Sequence, residues 1–211
     1  MKPTFEIEAK FLPKFVIGVD EVGYGAWAGP VVVGAVALEI SLLPSDLLNE
    51  INDSKTLSSK KRENVYESFM SYSGKGIYFS LYHATNQEVD ALNVRGATQE
   101  AMVRAVEGLL NLYPTFLWGG VLVDGTHAPH FSLKTQCIVG GDRKSLSIAA
   151  ASILAKVTRD RMMKKLGEEY PYYAWDKNVG YGTKSHQEGL KSFGPSPHHR
   201  MSYKPLQTFS L

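Results

Sequence analysis

The stretch Val16-Ile17-Gly18-Val19-Asp20-Glu21-Val22-Gly23-Tyr24-Gly25 carries the first decision about this chain. An apolar run without a polar break ends in two adjacent carboxylates, and the carboxylates end in a glycine turn. A short run of this kind, with no alternation, reads as a deeply buried strand. Residues 30–38, Pro-Val-Val-Val-Gly-Ala-Val-Ala-Leu, repeat that composition, so 14–19 and 30–38 are expected as two strands joined through the turn. Residues 77–82, 115–123 and 132–139 read as a third, fourth and fifth strand.

Helical signals separate and follow them. Residues 58–72 place Val65, Phe69 and Tyr72 on one face behind an N-capping Ser58. Thr85-Asn86-Gln87-Glu88 fits a capping box and opens a longer stripe that is interrupted at Gly96. Residues 145–166 form an alanine-rich, serine-capped segment ending in Lys164-Lys165, where cations suit a helix C-terminus. Residues 183–193 predict a last helix, stopped by Gly194-Pro195. The chain shows neither repeats nor a linker-like stretch, so one domain is expected over residues 1–211. Strands followed by helices indicate an α/β sheet covered by helices, with the helical portion, about 145–211, forming one side of a groove.

Composition excludes several function classes. The only cysteine, Cys137, leaves no intrachain disulfide and no Cys/His zinc cluster, which points to a reducing compartment. The most apolar run, residues 28–38, is about half of what a membrane helix needs. A soluble cytoplasmic protein is therefore expected. The net charge of +2 averages two unlike parts. Residues 1–133 hold 10 Lys+Arg against 15 Asp+Glu, and residues 134–211 hold 13 against 6. That division suits a basic wall for a polyanion beside an acidic cleft.

The acids carry the chemistry. Asp20 and Glu21 end one strand, Asp124 ends Val121-Leu122-Val123, and Asp142 precedes the alanine-rich helix. Ligands of open α/β sheets bind beyond the carboxyl ends of the strands. One Asp at a strand end is an ordinary turn or cap residue, but four gathered carboxylates repel unless a cation neutralises them. Without His or Cys among them, an all-oxygen set fits Mg²⁺ or Mn²⁺ rather than zinc. The turn Gly23-Tyr24-Gly25 has the wrong spacing for a dinucleotide fingerprint, yet it offers backbone N–H groups to a phosphate or hydroxyl. Tyr181, between two glycines, suits stacking on a base or sugar. Lys55, Lys184 and Arg200 lie beside glycine, proline or serine, where loops would hold them exposed.

In chain order these segments resemble ribonuclease HII, the bacterial type 2 ribonuclease H. The resemblance rests on Gly18-Val19-Asp20-Glu21-Val22-Gly23, Ala28-Gly29-Pro30-Val31-Val32, Asn52-Asp53-Ser54-Lys55-Thr56-Leu57-Ser58, Leu122-Val123-Asp124-Gly125, Gly140-Gly141-Asp142 with the helix 148–162, Gly180-Tyr181-Gly182-Thr183-Lys184 and Pro197-His198-His199-Arg200. It implies a ribonuclease H-like fold with a five-stranded mixed sheet. Asp20, Glu21, Asp124 and Asp142 are then expected to bind two divalent ions. The expected activity is hydrolysis of RNA paired to DNA and cutting on the 5′ side of single ribonucleotides embedded in duplex DNA, leaving 5′-phosphate and 3′-hydroxyl ends. Gly23, Tyr24 and Gly25 take the place of a family Gly-Arg-Gly turn that senses the junction 2′-hydroxyl. Tyr24 removes the guanidinium–phosphate contact that the arginine makes there. Tyr181 matches the tyrosine that lies against the junction sugar, and Lys55, Lys184 and Arg200 match backbone-contacting or site-supporting cations.

Rival readings are a ribonuclease HIII-like nuclease, which shares the Asp-Glu-Val-Gly spelling, a hybrid-binding module without catalysis, and a metal-dependent phosphatase or nuclease of other specificity. The 19 residues before Asp20 and the match at Tyr181 favour the HII reading over HIII. A monomer is expected, and residues 205–211 are left open as a docking segment for a partner such as a replication clamp.

Overall fold

The computed structural model describes residues 2–209. Its centre is a five-stranded sheet of β1 (Phe15–Val22), β2 (Val31–Leu38), β3 (Ile77–Ala84), β4 (Trp118–Asp124) and β5 (Thr135–Ile138), in the order β3-β2-β1-β4-β5. β1, β2 and β3 pair antiparallel, whereas β4 and β5 join parallel to β1 and to each other, so the sheet is mixed as expected. β1 runs past the expected residue 19 and includes Asp20 and Glu21, which stay in register with Gly34 and Val33 of β2.

Two helical layers cover the sheet. On one face, α3 (Asn86–Leu112) packs Val89, Ala101, Ala105 and Leu109 against Ile17, Val19, Val33 and Val123. On the other face, α2 (Ser59–Ser71) and α4 (Leu146–Glu169) pack Phe69, Ala150 and Leu154 against Val36 and Leu38. Small residues let α4 lie close: a Cβ on Gly34 would stand 2.7 Å from the Ala151 carbonyl oxygen, and one on Gly18 would overlap the Ser147–Ile148 peptide. The remaining helices are α1 (Ser45–Glu50), α5 (Trp175–Asn178), α6 (Lys184–Phe193) and α7 (Lys204–Gln207).

The caps explain the helix starts. Ser58, Ser145 and Thr183 each accept a backbone N–H two or three residues inside their helices, and Thr85 with Glu88 forms the full capping box. The break in α3 differs from expectation. It falls at Asn93 (φ 56°, ψ 166°), not at Gly96, because the Asn93 Oδ1 accepts the Gly96 N–H at 3.1 Å and recaps the helix there. Leu206 of α7 is fully buried, so that part of the C-terminal segment packs back on the molecule. Residues 210 and 211 lie outside the described residues. Among the described residues no helix is long and apolar enough to cross a membrane.

Candidate active site

Strand periodicity places the acids. Successive side chains of a strand face opposite ways, so Asp20 shares the α4 face with Val16 and Gly18 while Glu21 turns to the α3 face with Ile17 and Val19. Asp124 follows the same rule in β4, on the face of Leu122. Because Val19 is in register with Val123, Asp20 and Asp124 become neighbours at the carboxyl ends of two parallel strands. A local bond holds Asp20, and tertiary contacts hold Asp124 and Asp142. The Glu21 N–H donates to Asp20 Oδ1 at 2.8 Å, and the Gly141 N–H donates to Asp124 Oδ1 at 2.6 Å. Asp142 sits in the 3₁₀ turn that precedes α4, buried, with Lys55 Nζ at 3.3 Å and Arg143 Nε at 4.0 Å from its carboxylate.

Burial and mutual repulsion make Asp20 and Glu21 resist ionisation. Asp20 is held well above the ordinary carboxylate range, by burial first and then by Glu21 and Asp124, against a hydrogen bond from Ser152. Burial and Asp124 push Glu21 up to about 7, with Lys55 pulling the other way. Among the described residues no three acidic, imidazole or thiol side chains form a closed metal cage. The donor set nevertheless fits a hard divalent cation: oxygen ligands only, whose mutual repulsion such a cation would relieve.

The glycine turn borders the acids. Glu21, Tyr24, Asp124 and Gly125 line a groove of about 350 Å³ together with Arg95, Thr98, Gln99, Met102, Thr126 and His127. Arg95 and His127 were not singled out by sequence reasoning. Arg95 is brought there by the Asn93 break, for which the Asn-x-x-Gly spelling was the available signal. Gly23 takes φ +95°, a left-handed conformation that glycine tolerates, and the Arg159 side chain fills the space a Cβ would need. Arg200 Nη1 and the Tyr203 hydroxyl donate to the Tyr24 carbonyl at 2.9 and 2.6 Å. In a trans peptide the following N–H points the opposite way, so these two donors turn the Gly25 N–H away from Arg200.

Arg200 corrects the expectation of an exposed cation. It is fully buried, donating also to the Gly29 carbonyl at 3.0 Å, and it braces the turn from beneath. Arg159, equally buried, donates to the carbonyls of Pro30, Ala28 and Val179. Burial and the charge of Arg200 lower Arg159 to about 10, which leaves it cationic at neutral pH. The basic C-terminal half is therefore not simply a wall facing a duplex. Arg159 and Arg200 are internal, Lys156 pairs with Asp160, and Arg161 pairs with Glu63 and Glu67.

Tyr181 is exposed and leans on the turn, its ring edge 3.9 Å from where a Gly25 Cβ would stand. Lys55 is brought to the acids. Lys184, the first residue of α6, is 93% exposed and stands 3.9 Å from Glu188, with no contact to the carboxylates.

Comparisons with known proteins give the family and the fold. The family model described as Ribonuclease HII matches residues 17–206. Ribonuclease HII of Burkholderia mallei is 43% identical over 206 residues, covering 98% of this chain and 90% of the relative. Ribonuclease H2 from Pyrococcus horikoshii superposes with a TM-score of 0.74 at 23% identity, covering 92% of this chain and 96% of that one. Bst-RNase HIII in complex with Mn²⁺ gives a TM-score of 0.74 at 15% identity, over 96% and 71% of the two chains. At such identities the two structures speak for the ribonuclease H-like fold, and the family match with the full-length relative speaks for more: the chain belongs to the ribonuclease HII family, metal-dependent endoribonucleases that cleave the RNA strand of RNA/DNA hybrids.

Proposed function

We propose that this protein cuts on the 5′ side of single ribonucleotides embedded in duplex DNA as well as within longer RNA/DNA hybrids. The observation that carries the reading is the closeness of Asp20, Glu21 and Asp124 at the ends of β1 and β4, with Asp142 brought up through the Gly141–Asp124 bond and paired to Lys55, and with the Gly23-Tyr24-Gly25 turn and Tyr181 beside them. A pure hybrid-binding module gains nothing from concentrating acids where phosphates must lie.

Asp20, Glu21, Asp124 and Asp142 would hold Mg²⁺ or Mn²⁺. When bound, two such ions supply an activated water and a counter-charge for the departing 3′ oxygen, which leaves 5′-phosphate and 3′-hydroxyl ends. The chain's own residues do the rest. The Gly141 N–H holds Asp124, and Lys55 pairs with Asp142. The backbone of Gly23, Tyr24 and Gly25 meets the ribose 2′-hydroxyl, held by Arg200 and Tyr203 from below. Tyr181 lies against the sugar at the junction, and Lys55, Lys184 and Arg95 face the phosphate chain.

We read residues 1–211 as one catalytic domain, monomeric and cytoplasmic; the exposed free thiol of Cys137 suits that reducing compartment. The direct test is incubation of the purified protein with a duplex holding one ribonucleotide, with Mg²⁺ or Mn²⁺, and mapping of the product ends. The expected product is a cut on the 5′ side of the ribonucleotide. An intact single-ribonucleotide duplex beside a cleaved long hybrid would overturn the reading.

A further inference from the structure

Beneath Tyr181 lies a buried polar chain that the hydrolytic chemistry leaves unused. Trp175, His186 and His199 are almost wholly inaccessible. Their hydrogens are fixed by groups that can only donate. Trp175 Nε1–H donates to His186 Nε2 at 3.1 Å, so the proton of His186 is on Nδ1, which donates to the Tyr181 carbonyl at 2.9 Å. The Ser196 N–H donates to His199 Nδ1 at 2.9 Å, so the proton of His199 is on Nε2 and points at His186 Nε2, 2.9 Å away. One polarity runs from Ser196 through His199 and His186 to the Tyr181 carbonyl.

The loop held this way is strained. Val179 adopts φ +44°, which a β-branched residue avoids, and such a conformation persists only where its surroundings fix it. Arg159 Nη1 grips the Val179 carbonyl at 2.8 Å, the Asn178 Oδ1 accepts the Gly180 N–H at 2.9 Å, and His186 grips the Tyr181 carbonyl on the far side. The Thr183 N–H shares that carbonyl at 2.8 Å. The Tyr181 ring projects over the turn from a backbone clamped at both ends.

We propose that the His186–His199 pair is a positioning device for Tyr181, with His186 Nδ1–H setting the direction in which the tyrosine meets the substrate, and hence the preference for a lone ribonucleotide over a long hybrid. This rests on the reading of Tyr181 as the residue at the junction sugar. His186 and His199 act through Tyr181 and are positioning residues.

Two substitutions separate this role from plain packing. In His186→Asn the amide N–H stands near Nδ1 and keeps the bond to the Tyr181 carbonyl. In His186→Gln the amide reaches instead toward Trp175 and His199, and the bond to the loop is lost. The ratio of single-ribonucleotide to long-hybrid cleavage is measured for both, alone and with Tyr181→Ala. His186→Gln is expected to lower the ratio on the order of five- to tenfold, the worth of one hydrogen bond. His186→Asn should retain it, and Tyr181→Ala should erase the difference between them. Equal ratios for the two variants, or an effect of His186→Gln that persists without Tyr181, would overturn the proposal. Should neither variant fold, the wild-type imidazole ¹⁵N spectrum decides: a proton on His186 Nδ1 and on His199 Nε2 is expected, and the reverse tautomers overturn it. A wild-type protein that cuts the long hybrid but not the single ribonucleotide removes the substrate reading itself; a normal wild-type ratio left unmoved by His186→Gln removes only the positioning role.

Discussion

Gly34 stands opposite Asp20 in the β1–β2 ladder and beneath α4, so Gly34→Ala probes how closely the helix must sit for the carboxylates to work. The added Cβ would lie 2.7 Å from the Ala151 oxygen and 3.3 Å from its carbonyl carbon and Cα; ordinary contact begins near 3.4 Å, so the helix must give by about 0.7 Å. The atoms it meets are backbone in mid-helix, which cannot rotate aside as a side chain would. Overpacking of this kind costs about 1–3 kcal/mol. In a chain of this size that lowers Tm by roughly 2–10 °C. The residue after Ala151 is Ser152, whose hydroxyl acts on the Asp20 carboxyl and stands 3.0 Å from that of Ser54, so the shift is passed toward the acids. A misplacement approaching 1 Å at reacting groups is worth up to about 100-fold in rate. Calorimetry with steady-state cleavage of a long hybrid is the assay, and a tenfold or greater fall in kcat is expected with KM little changed, since the duplex contacts lie elsewhere. Gly18→Ala, whose Cβ would overlap backbone outright, should be worse on both measures. Wild-type Tm and kcat in Gly34→Ala would refute the claim that close α4 packing sets the acid geometry.

Further predictions follow from single contacts. Asp124→Asn keeps an oxygen for the Gly141 N–H but loses a charge, so turnover should vanish while Tm holds; retained cleavage would mean that acid is misassigned. Tyr24→Arg places a guanidinium at an exposed position of the turn and should steepen the salt dependence of duplex binding by about one phosphate contact, read by titration at several ionic strengths. His199 is pushed down to about 4 by burial, then by His186 and His198, from an ordinary value near 6.5. The folded state therefore favours the neutral ring: its contribution is complete above pH 6.5 and is lost as pH falls toward 4. Thermal melts should show a loss of about 1 kcal/mol between pH 7.5 and 5.5 that His199→Gln removes; identical pH profiles would refute the assignment.

Much of this molecule was legible in its sequence for local reasons. Apolar β-branched runs gave β1, β2 and β3; Ser58, Thr85, Ser145 and Thr183 marked helix starts within a residue, because caps act through bonds two or three residues away. The acids stood out in the sequence because Asp20, Glu21 and Asp124 end apolar strands, where such chemistry is placed, and Asp142 stands just before the alanine-rich α4. The break in α3 was misplaced because glycine signals low helix propensity, whereas the actual break is made by a side chain able to recap the helix.

Arg200 marks the boundary between the two kinds of information. Its sequence surroundings of His, Ser and Pro read as an exposed loop, and no local rule announces that Tyr24, Gly29 and Tyr203 will close around it. The same holds for Lys55 beside Asp142, for Arg95 in the groove and for the imidazole pair under Tyr181. Sequence alone determined which residues could do chemistry and in which elements they stand, since propensity, capping and periodicity are short-range. Only the tertiary structure decided which charges are buried and which face substrate, because burial and pairing depend on segments far apart in the chain.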